Sequence, residues 1–202
     1  MARISSAAFF MVGAAIAPGS DVTLEAVGVN PTRIGVIEIL RQMGAAIALE
    51  NERMQGGEPV ADIRVRGGDL HGIAIDEALV PLAIDEFPAL LIAAACACGR
   101  TVLTGAAELR VKESDRIAVM AEGLNRLGVA ATPTADGMTV EGGAIAGGEI
   151  GSHGDHRVAM AFAMAALRAG GPIRILDCAN VATSFPGFPE LAAGAGLAIT
   201  GV

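Results

Sequence analysis

The chain carries one pattern three times, and this repeat restricts the possible folds more than any other feature of the sequence. In each copy a few polar residues precede an apolar run, a glycine-containing turn follows, and a short β-branched segment leads to a second helical pattern. The copies begin near residues 5, 84 and 154, and their second helices end before Gly44, Gly128 and Gly196. Glycine directly after a helical pattern is a common helix-ending signal, so three similar supersecondary units are predicted.

Each unit is predicted to run helix, strand, helix, strand, strand, which makes the chain an α/β protein. The first helix of each unit is apolar nearly all round and is expected inside, whereas the amphipathic second helix is expected outside. This predicts a pseudo-threefold array in which three small sheets surround three buried, parallel helices. A doubly wound parallel sheet fits the repeat less well. We expect one lobe over residues 1–202, with units at about 5–80, 81–150 and 151–202.

The closing strands of each unit are predicted from short β-branched and apolar segments. Residues 61–65 are expected to pair with 73–75, and residues 130–133 with 138–140, where residues 135–137 supply a hairpin turn. The third copy reaches Val202 before such a pair, so its unit is predicted to be incomplete.

The charge and composition argue against several classes of function. A formal net charge of −8, with no Trp and no Tyr, disfavours a nucleic-acid-binding face. The apolar runs are too short to cross a bilayer, so no membrane contact is expected. The three cysteines form no CxxC or Cys/His pattern, which predicts neither a disulfide framework nor a metal site. We therefore expect reduced thiols in a cytoplasmic protein.

Parallel buried helices would bring three helix N-termini to one face, where their dipoles and free N–H groups favour an anion. The most distinctive segment at this face is 110–116, in which five of seven residues are charged, against 18% of the whole chain. It contains Lys112, the only lysine, and Arg116 four residues later, and the repeat places it beside Asp85 and Arg157. An anion site with nearby carboxylates and a solvated surface turn both fit this run of charges.

The segment Arg-Val-Lys-Glu-Ser-Asp-Arg at residues 110–116 resembles a signature of the EPSP synthase family, the 5-enolpyruvylshikimate-3-phosphate synthases. Five further segments resemble blocks of the same family in the same order, so that the resemblance covers essentially the whole chain. These segments are residues 5–10, 30–33, 84–88, 155–160 and 182–186. The last of them, together with residues 107–110, is similar to the class II enzymes of the family.

This resemblance implies a fold of two lobes, each a pseudo-threefold array of such units, which close on the substrates between them. The chain is similar to the C-terminal lobe only, which implies half of an active site and an N-terminal lobe as the missing partner. The expected activity is transfer of the enolpyruvyl group of phosphoenolpyruvate to the 5-hydroxyl of shikimate-3-phosphate, with release of phosphate. The chain by itself is expected to be inactive. The alternatives are a lobe of a transferase acting on UDP-N-acetylglucosamine, and a non-catalytic module that binds or complements a partner half.

Matched residue by residue, the resemblance implies roles for five side chains. Asp85 matches a carboxylate that binds the shikimate hydroxyls and is the base for the 5-hydroxyl, and Glu113 matches the proton donor to the methylene carbon of phosphoenolpyruvate. Lys112 matches a shikimate-3-phosphate contact, and Arg116 and Arg157 match the arginines that grip phosphoenolpyruvate. Guanidinium forks suit anionic substrates, and deprotonating an alcohol while protonating a carbon needs two carboxyls in opposite protonation states. No cofactor and no metal are implied.

Two residues depart from the class I pattern at substrate-contacting positions, and a third is expected to be structural. Glu108 stands where class I enzymes have an asparagine that contacts substrate, and Thr183 stands where they have a lysine at the phosphoenolpyruvate site. Both departures fit class II. His156, next to Arg157, is interpreted as structural.

Overall fold

The computed structural model describes residues 2–201, which form seven α-helices and eight strands. The helices are α1 (Ile4–Ile16), α2 (Gly35–Gln42), α3 (Phe87–Cys96), α4 (Arg116–Arg126), α5 (His156–Ala165), α6 (Asn180–Ser184) and α7 (Phe188–Gly194). The strands are β1 (Asp21–Gly28), β2 (Ala46–Gln55), β3 (Glu58–Arg66), β4 (Arg100–Leu103), β5 (Ala131–Pro133), β6 (Met138–Glu141), β7 (Gly148–Gly151) and β8 (Ile173–Leu176). None of these helices has the length and apolar character that crossing a membrane requires.

Helices α1, α3 and α5 form the core, as the repeat predicts. Each of these helices contacts the other two. Nearly all of their residues beyond the first turn are buried, because no charged side chain follows that turn in any of the three helices. Their starts meet, because Arg157 Nη1 donates to the carbonyl of Asp85 at 3.0 Å and Ser5 lies beside Glu86. Their C-terminal ends also meet, because Arg168 Nη1, just beyond α5, donates to the carbonyl of Ile16 at the end of α1 at 3.4 Å, and the charge of Arg168 also acts on Cys96 at the end of α3. The three buried helices are therefore parallel.

Three small sheets surround these helices, which confirms the predicted fold class. The strand orders are β1-β3-β2 and β4-β6-β5, both antiparallel, and the parallel pair β7-β8. The predicted pairing of residues 130–133 with 138–140 is confirmed as β5 and β6. Within residues 2–201, no strand pairs with the other edge of β8.

The predicted pairing of residues 61–65 with 73–75 is wrong. Residues 61–65 belong to β3, which pairs with β2 through a hairpin closed by Gly56 and Gly57. Both glycines have positive φ, 61° and 85°, which suits a two-residue hairpin turn. Strand β2 is largely exposed and polar, so its sequence lacks the apolar alternation that would reveal it.

Residues 73–75 instead join the sheet of the second unit. The amide of Ile75 donates to the carbonyl of Val102, and the amide of Val102 donates to the carbonyl of Ile73, both at 2.9 Å. This segment runs parallel to β4, just as β7 runs parallel to β8. A segment from one predicted unit therefore pairs with the sheet of the next, and the unit boundaries stay a prediction.

A glycine pair crosses the end of a buried helix at the same place in two units. The amide of Gly68 donates to the carbonyl of Ala15 in α1, and the amide of Gly143 donates to the carbonyl of Ala95 in α3. A Cβ on the preceding glycine, Gly67, would lie 1.8 Å from a helix-end carbonyl oxygen, and the same distance holds for Gly142. Only glycine allows this close crossing.

We expect Gly67→Ala and Gly142→Ala each to lower the free energy of unfolding by about 1–3 kcal/mol or more, because the added methyl forces backbone apart. The matched controls are Gly68→Ala and Gly143→Ala, where a Cβ would have no atom within 4 Å. Denaturant unfolding of the four variants checks this. Equal losses in all four would contradict the close-crossing explanation.

Candidate anion-binding site

Asp85 lies at the centre of the face where the three buried helices begin. It belongs to the 3-10 turn Ile84–Glu86 that leads into α3. Its Oδ1 is 3.3 Å from Lys112 Nζ and 3.7 Å from Arg116 Nη1, and its Oδ2 is 3.9 Å from Arg157 Nη2. Burial acts to raise the pKa of Asp85, but the charges of Arg157, Lys112 and Arg116 outweigh it, so the pKa is lowered. The carboxylate form is therefore the stable one here.

The charged segment 110–116 is held on the protein and is not a loose surface turn. Arg110 Nη1 donates to Asp115 Oδ2 at 2.6 Å, and Arg110 Nε donates to the carbonyl of Ala135 at 2.7 Å. Asp115 also caps α4, since its Oδ1 accepts the amide of Ala118 at 3.0 Å. These contacts tie the segment to the hairpin between β5 and β6.

Arg116 is a buried charged residue at the edge of the hydrophobic core, and only 1% of its side chain is exposed. Its Nε donates to Asp155 Oδ2 at 2.8 Å, and its Nη2 contacts both Asp155 and Glu113. Its Nη1 is buried without a hydrogen-bond partner within residues 2–201. A buried guanidinium N–H without a partner is costly, and an anion placed there would satisfy it.

Lys112 and Glu113 occupy the exposed side of the same segment. Lys112 contacts Asp85 and also Glu108, and the hydrogen bond to Glu108 is the main cause of its raised pKa. Half of the Glu113 side chain is exposed, and it reaches Arg116. Lys112 is therefore a stable cation, and Glu113 is open to a molecule on this face.

The structure brings all five sequence-predicted site residues together on one face. They are Asp85, Lys112, Glu113, Arg116 and Arg157. Arg157, with 17% of its side chain exposed, begins α5, while Lys112 and Arg116 precede and begin α4, so the site spans two predicted units. Among residues 2–201, no three His, Cys, Asp or Glu side chains are arranged to hold a metal ion.

Asp155 and Glu86, which were not among the predicted site residues, are also buried at this face. Asp155 is fully buried against Arg116; its position before an apolar helix and its place in the segment 155–160 were the signals that the sequence offered. Glu86 is 5% exposed.

Thr183, the other residue that departs from class I, lies in the short helix α6. Burial and the charge of Arg157 lower the pKa of His156.

Adjacent carboxyls Asp85 and Glu86 have opposite pKa shifts, and this predicts opposite effects on stability. Burial raises the pKa of Glu86 above its usual 4.5, despite opposing effects of Ser5 and Arg157. Its stabilising contribution is therefore present below about pH 4.5 and lost as the pH rises through the folded-state pKa. We expect Glu86→Gln to raise the melting temperature at pH 7 and to lose this advantage at pH 4.

The control is Asp85→Asn, which should lower the melting temperature at pH 7, because the lowered pKa of Asp85 stabilises the folded protein above its unfolded-state pKa. Thermal melts of both variants across this pH range check the prediction. A melting temperature that falls in Glu86→Gln at pH 7 would contradict it.

Known proteins share the sequence and the fold of this chain. Residues 2–191 match the family described as EPSP synthase (3-phosphoshikimate 1-carboxyvinyltransferase). A protein of Nitrosococcus oceani named 3-phosphoshikimate 1-carboxyvinyltransferase is 72% identical over 198 residues, covering 98% of this chain and 45% of that protein. A protein of Alkalilimnicola ehrlichii with the same name is 70% identical over 200 residues, again covering 45% of its length. The chain thus spans about half the length of the curated relatives that it matches.

Solved structures show the same relation. The EPSP synthase of Acinetobacter baumannii superposes with a TM-score of 0.95 at 65% identity, covering 96% of this chain and 46% of that one. The enolpyruvyl transferase NikO of Streptomyces tendae shares the fold, with a TM-score of 0.76 at 15% identity. With the family match, the high identities and the shared fold, the chain belongs to the EPSP synthase family.

Proposed function

We propose that this chain supplies one half of an active site that transfers the enolpyruvyl group of phosphoenolpyruvate to the 5-hydroxyl of shikimate-3-phosphate. The observation that carries the proposal is the buried Nη1 of Arg116, which has no hydrogen-bond partner among the described residues 2–201 and lies 3.7 Å from the carboxylate of Asp85. An anion and a hydroxyl could be held side by side at this point. The names of the high-identity relatives support the same reaction.

The charges suit two anionic substrates. Arg116 and Arg157 begin helices that bring positive dipole ends to the same face, and Lys112 adds a third cation. We assign the carboxylate and phosphate of phosphoenolpyruvate to the two arginines, since guanidinium forks bind such groups in pairs of hydrogen bonds. Lys112 then contacts shikimate-3-phosphate.

The two carboxyls take opposite parts in proton transfer. The lowered pKa of Asp85 keeps it ionised, so it accepts the proton of the attacking 5-hydroxyl. Glu113, at the exposed edge, gives a proton to the methylene carbon of phosphoenolpyruvate while the hydroxyl oxygen bonds to the neighbouring carbon. Phosphate then leaves with the proton that Asp85 had accepted, and the Glu113 carboxylate takes a proton back from the new methyl group, which restores the enolpyruvyl double bond.

The second lobe and the cellular location belong to the same proposal. The chain spans about half of its relatives, so we assign the opposite wall of the cleft to a second lobe. The cysteines Cys96, Cys98 and Cys178 are all free, which supports a reducing compartment and a cytoplasmic location.

The experiment is phosphate release by a chimera in which this chain replaces the matching 198 residues of the Nitrosococcus oceani relative. Release that requires both phosphoenolpyruvate and shikimate-3-phosphate supports the proposal. Release with UDP-N-acetylglucosamine as the only effective acceptor would favour the alternative transferase. A folded chimera that binds phosphoenolpyruvate without releasing phosphate would leave only a binding module.

A further inference from the structure

We propose that Asp155 is a positioning residue that sets the spacing and orientation of Arg116 and Arg157 for one shared anion. This inference rests on the proposed anion site and adds to it a residue that touches neither substrate. It follows from the contacts of a single carboxylate that joins two predicted repeat units.

Asp155 holds Arg116 through two nitrogens on one edge of the guanidinium. Its Oδ2 accepts Arg116 Nε at 2.8 Å, and its Oδ1 lies 3.4 Å from Arg116 Nη2. This two-point contact fixes the plane of the guanidinium, because a single hydrogen bond would allow it to turn. The remaining nitrogen, Nη1, is then the one left facing Asp85.

The same carboxylate also sets the start of the helix that carries Arg157. Asp155 Oδ1 accepts the amide of Arg157 at 2.9 Å and that of Val158 at 3.4 Å, so Asp155 is the N-cap of α5. Ser114 adds a further bond, since its Oγ donates to Asp155 Oδ2 at 3.0 Å. One side chain therefore joins the segment before α4 to the first turn of α5.

Burial makes this arrangement rigid. Asp155 has no exposed surface and Arg116 has 1%, so breaking the pair would leave a buried charge without its partner. Although burial acts to raise the pKa of Asp155, its bonds and the charge of Arg116 lower it, and the carboxylate stays ionised. Because neither side chain is open to solvent, water cannot replace a lost partner.

The positioning role and simple electrostatics predict opposite signs. Replacing Asp155 by Asn removes one negative charge next to the anion site, and by Coulomb attraction alone the anion should then bind more tightly. If Asp155 positions the arginines, the anion should bind more weakly. Asn can still cap α5 through its single side-chain oxygen. Its amide N–H groups then face Arg116 Nε and Ser114 Oγ, so the hydrogen bonds that these two donors make to Asp155 Oδ2 are lost.

The experiment measures inorganic phosphate binding to this 202-residue chain by calorimetry, and the KM for phosphoenolpyruvate and kcat of the chimera. For Asp155→Asn we expect the phosphate Kd and the KM to rise by about tenfold to a hundredfold, with a smaller change in kcat. The matched control is Asp62→Asn. Asp62 also accepts a backbone amide, from Ala26 at 2.8 Å, and contacts an arginine, Arg53, but it lies on β3. We expect its Kd and KM to stay within about twofold.

Tighter or unchanged phosphate binding in Asp155→Asn would overturn the positioning role, and so would an equal loss in Asp62→Asn. Should Asp155→Asn not fold, Ser114→Ala removes only one bond to the same carboxylate and should raise the phosphate Kd a few-fold; no rise would overturn the proposal. Weaker phosphate binding in a chain whose chimera has no synthase activity would support the positioning role and contradict the proposed function. The two failures are therefore distinguishable.

Discussion

Replacing Arg116 by alanine should reduce the use of phosphoenolpyruvate more than any other single substitution in this chain. Loss of one member of a buried charge pair costs about 2–5 kcal/mol, which corresponds to about thirtyfold to several thousandfold in kcat/KM. Arg157→Ala should act in the same direction. Only Arg116→Ala should also lower stability strongly, by about 3–5 kcal/mol, because it leaves Asp155 fully buried without its partner.

Steady-state kinetics of the chimera with varied phosphoenolpyruvate, and thermal melts of the same proteins, check this result. The control is Arg126→Ala, since Arg126 is 55% exposed and its salt bridge is to Glu122 on the same helix. We expect Arg116→Lys to restore part of the activity, because an ammonium group cannot make the paired hydrogen bonds of a guanidinium. If Arg126→Ala is as damaging as the other two, the assigned site is wrong.

The 202-residue chain by itself should release no measurable phosphate from the two substrates. The candidate site of the chain is an open face, and about half of the length of the relatives has no counterpart in this chain. Without an opposite wall, both the orientation of the substrates and the exclusion of water are lost, and these effects together account for a large share of enzymatic acceleration.

Phosphate release by the chain, compared with the chimera at equal concentration, tests this expectation. Adding the remaining segment of the Nitrosococcus oceani relative as a separate polypeptide should restore part of the turnover. A normal turnover number for the chain without any addition would contradict the prediction and would point to two copies that rebuild the cleft together.

Part of the site could be predicted because its chemistry lies in contiguous sequence. The charges of residues 110–116 stand out against a chain with few charges, and the repeat places Asp85 and Arg157 at matching helix starts. The structure brings Lys112, Arg116 and Arg157 each within 4 Å of Asp85. Asp155, which joins Arg116 and Arg157, lies in the segment 155–160, but its role could not be predicted, because a helix-capping aspartate looks the same in a sequence whether or not an arginine lies behind it.

The sequence by itself determined the fold class of this protein and the interior position of its three apolar helices, because a helix without a polar face has no stable place at the surface. Strand pairing was decided by the tertiary structure. The exposed strand β2 pairs with β3, and residues 73–75 pair with β4. Backbone hydrogen bonds form with whichever strand edge the packed helices bring near. The tertiary structure also left Arg116 Nη1 without a hydrogen-bond partner in the described part of the chain, because only a buried contact between distant segments can direct one edge of a guanidinium inward and leave the remaining nitrogen free.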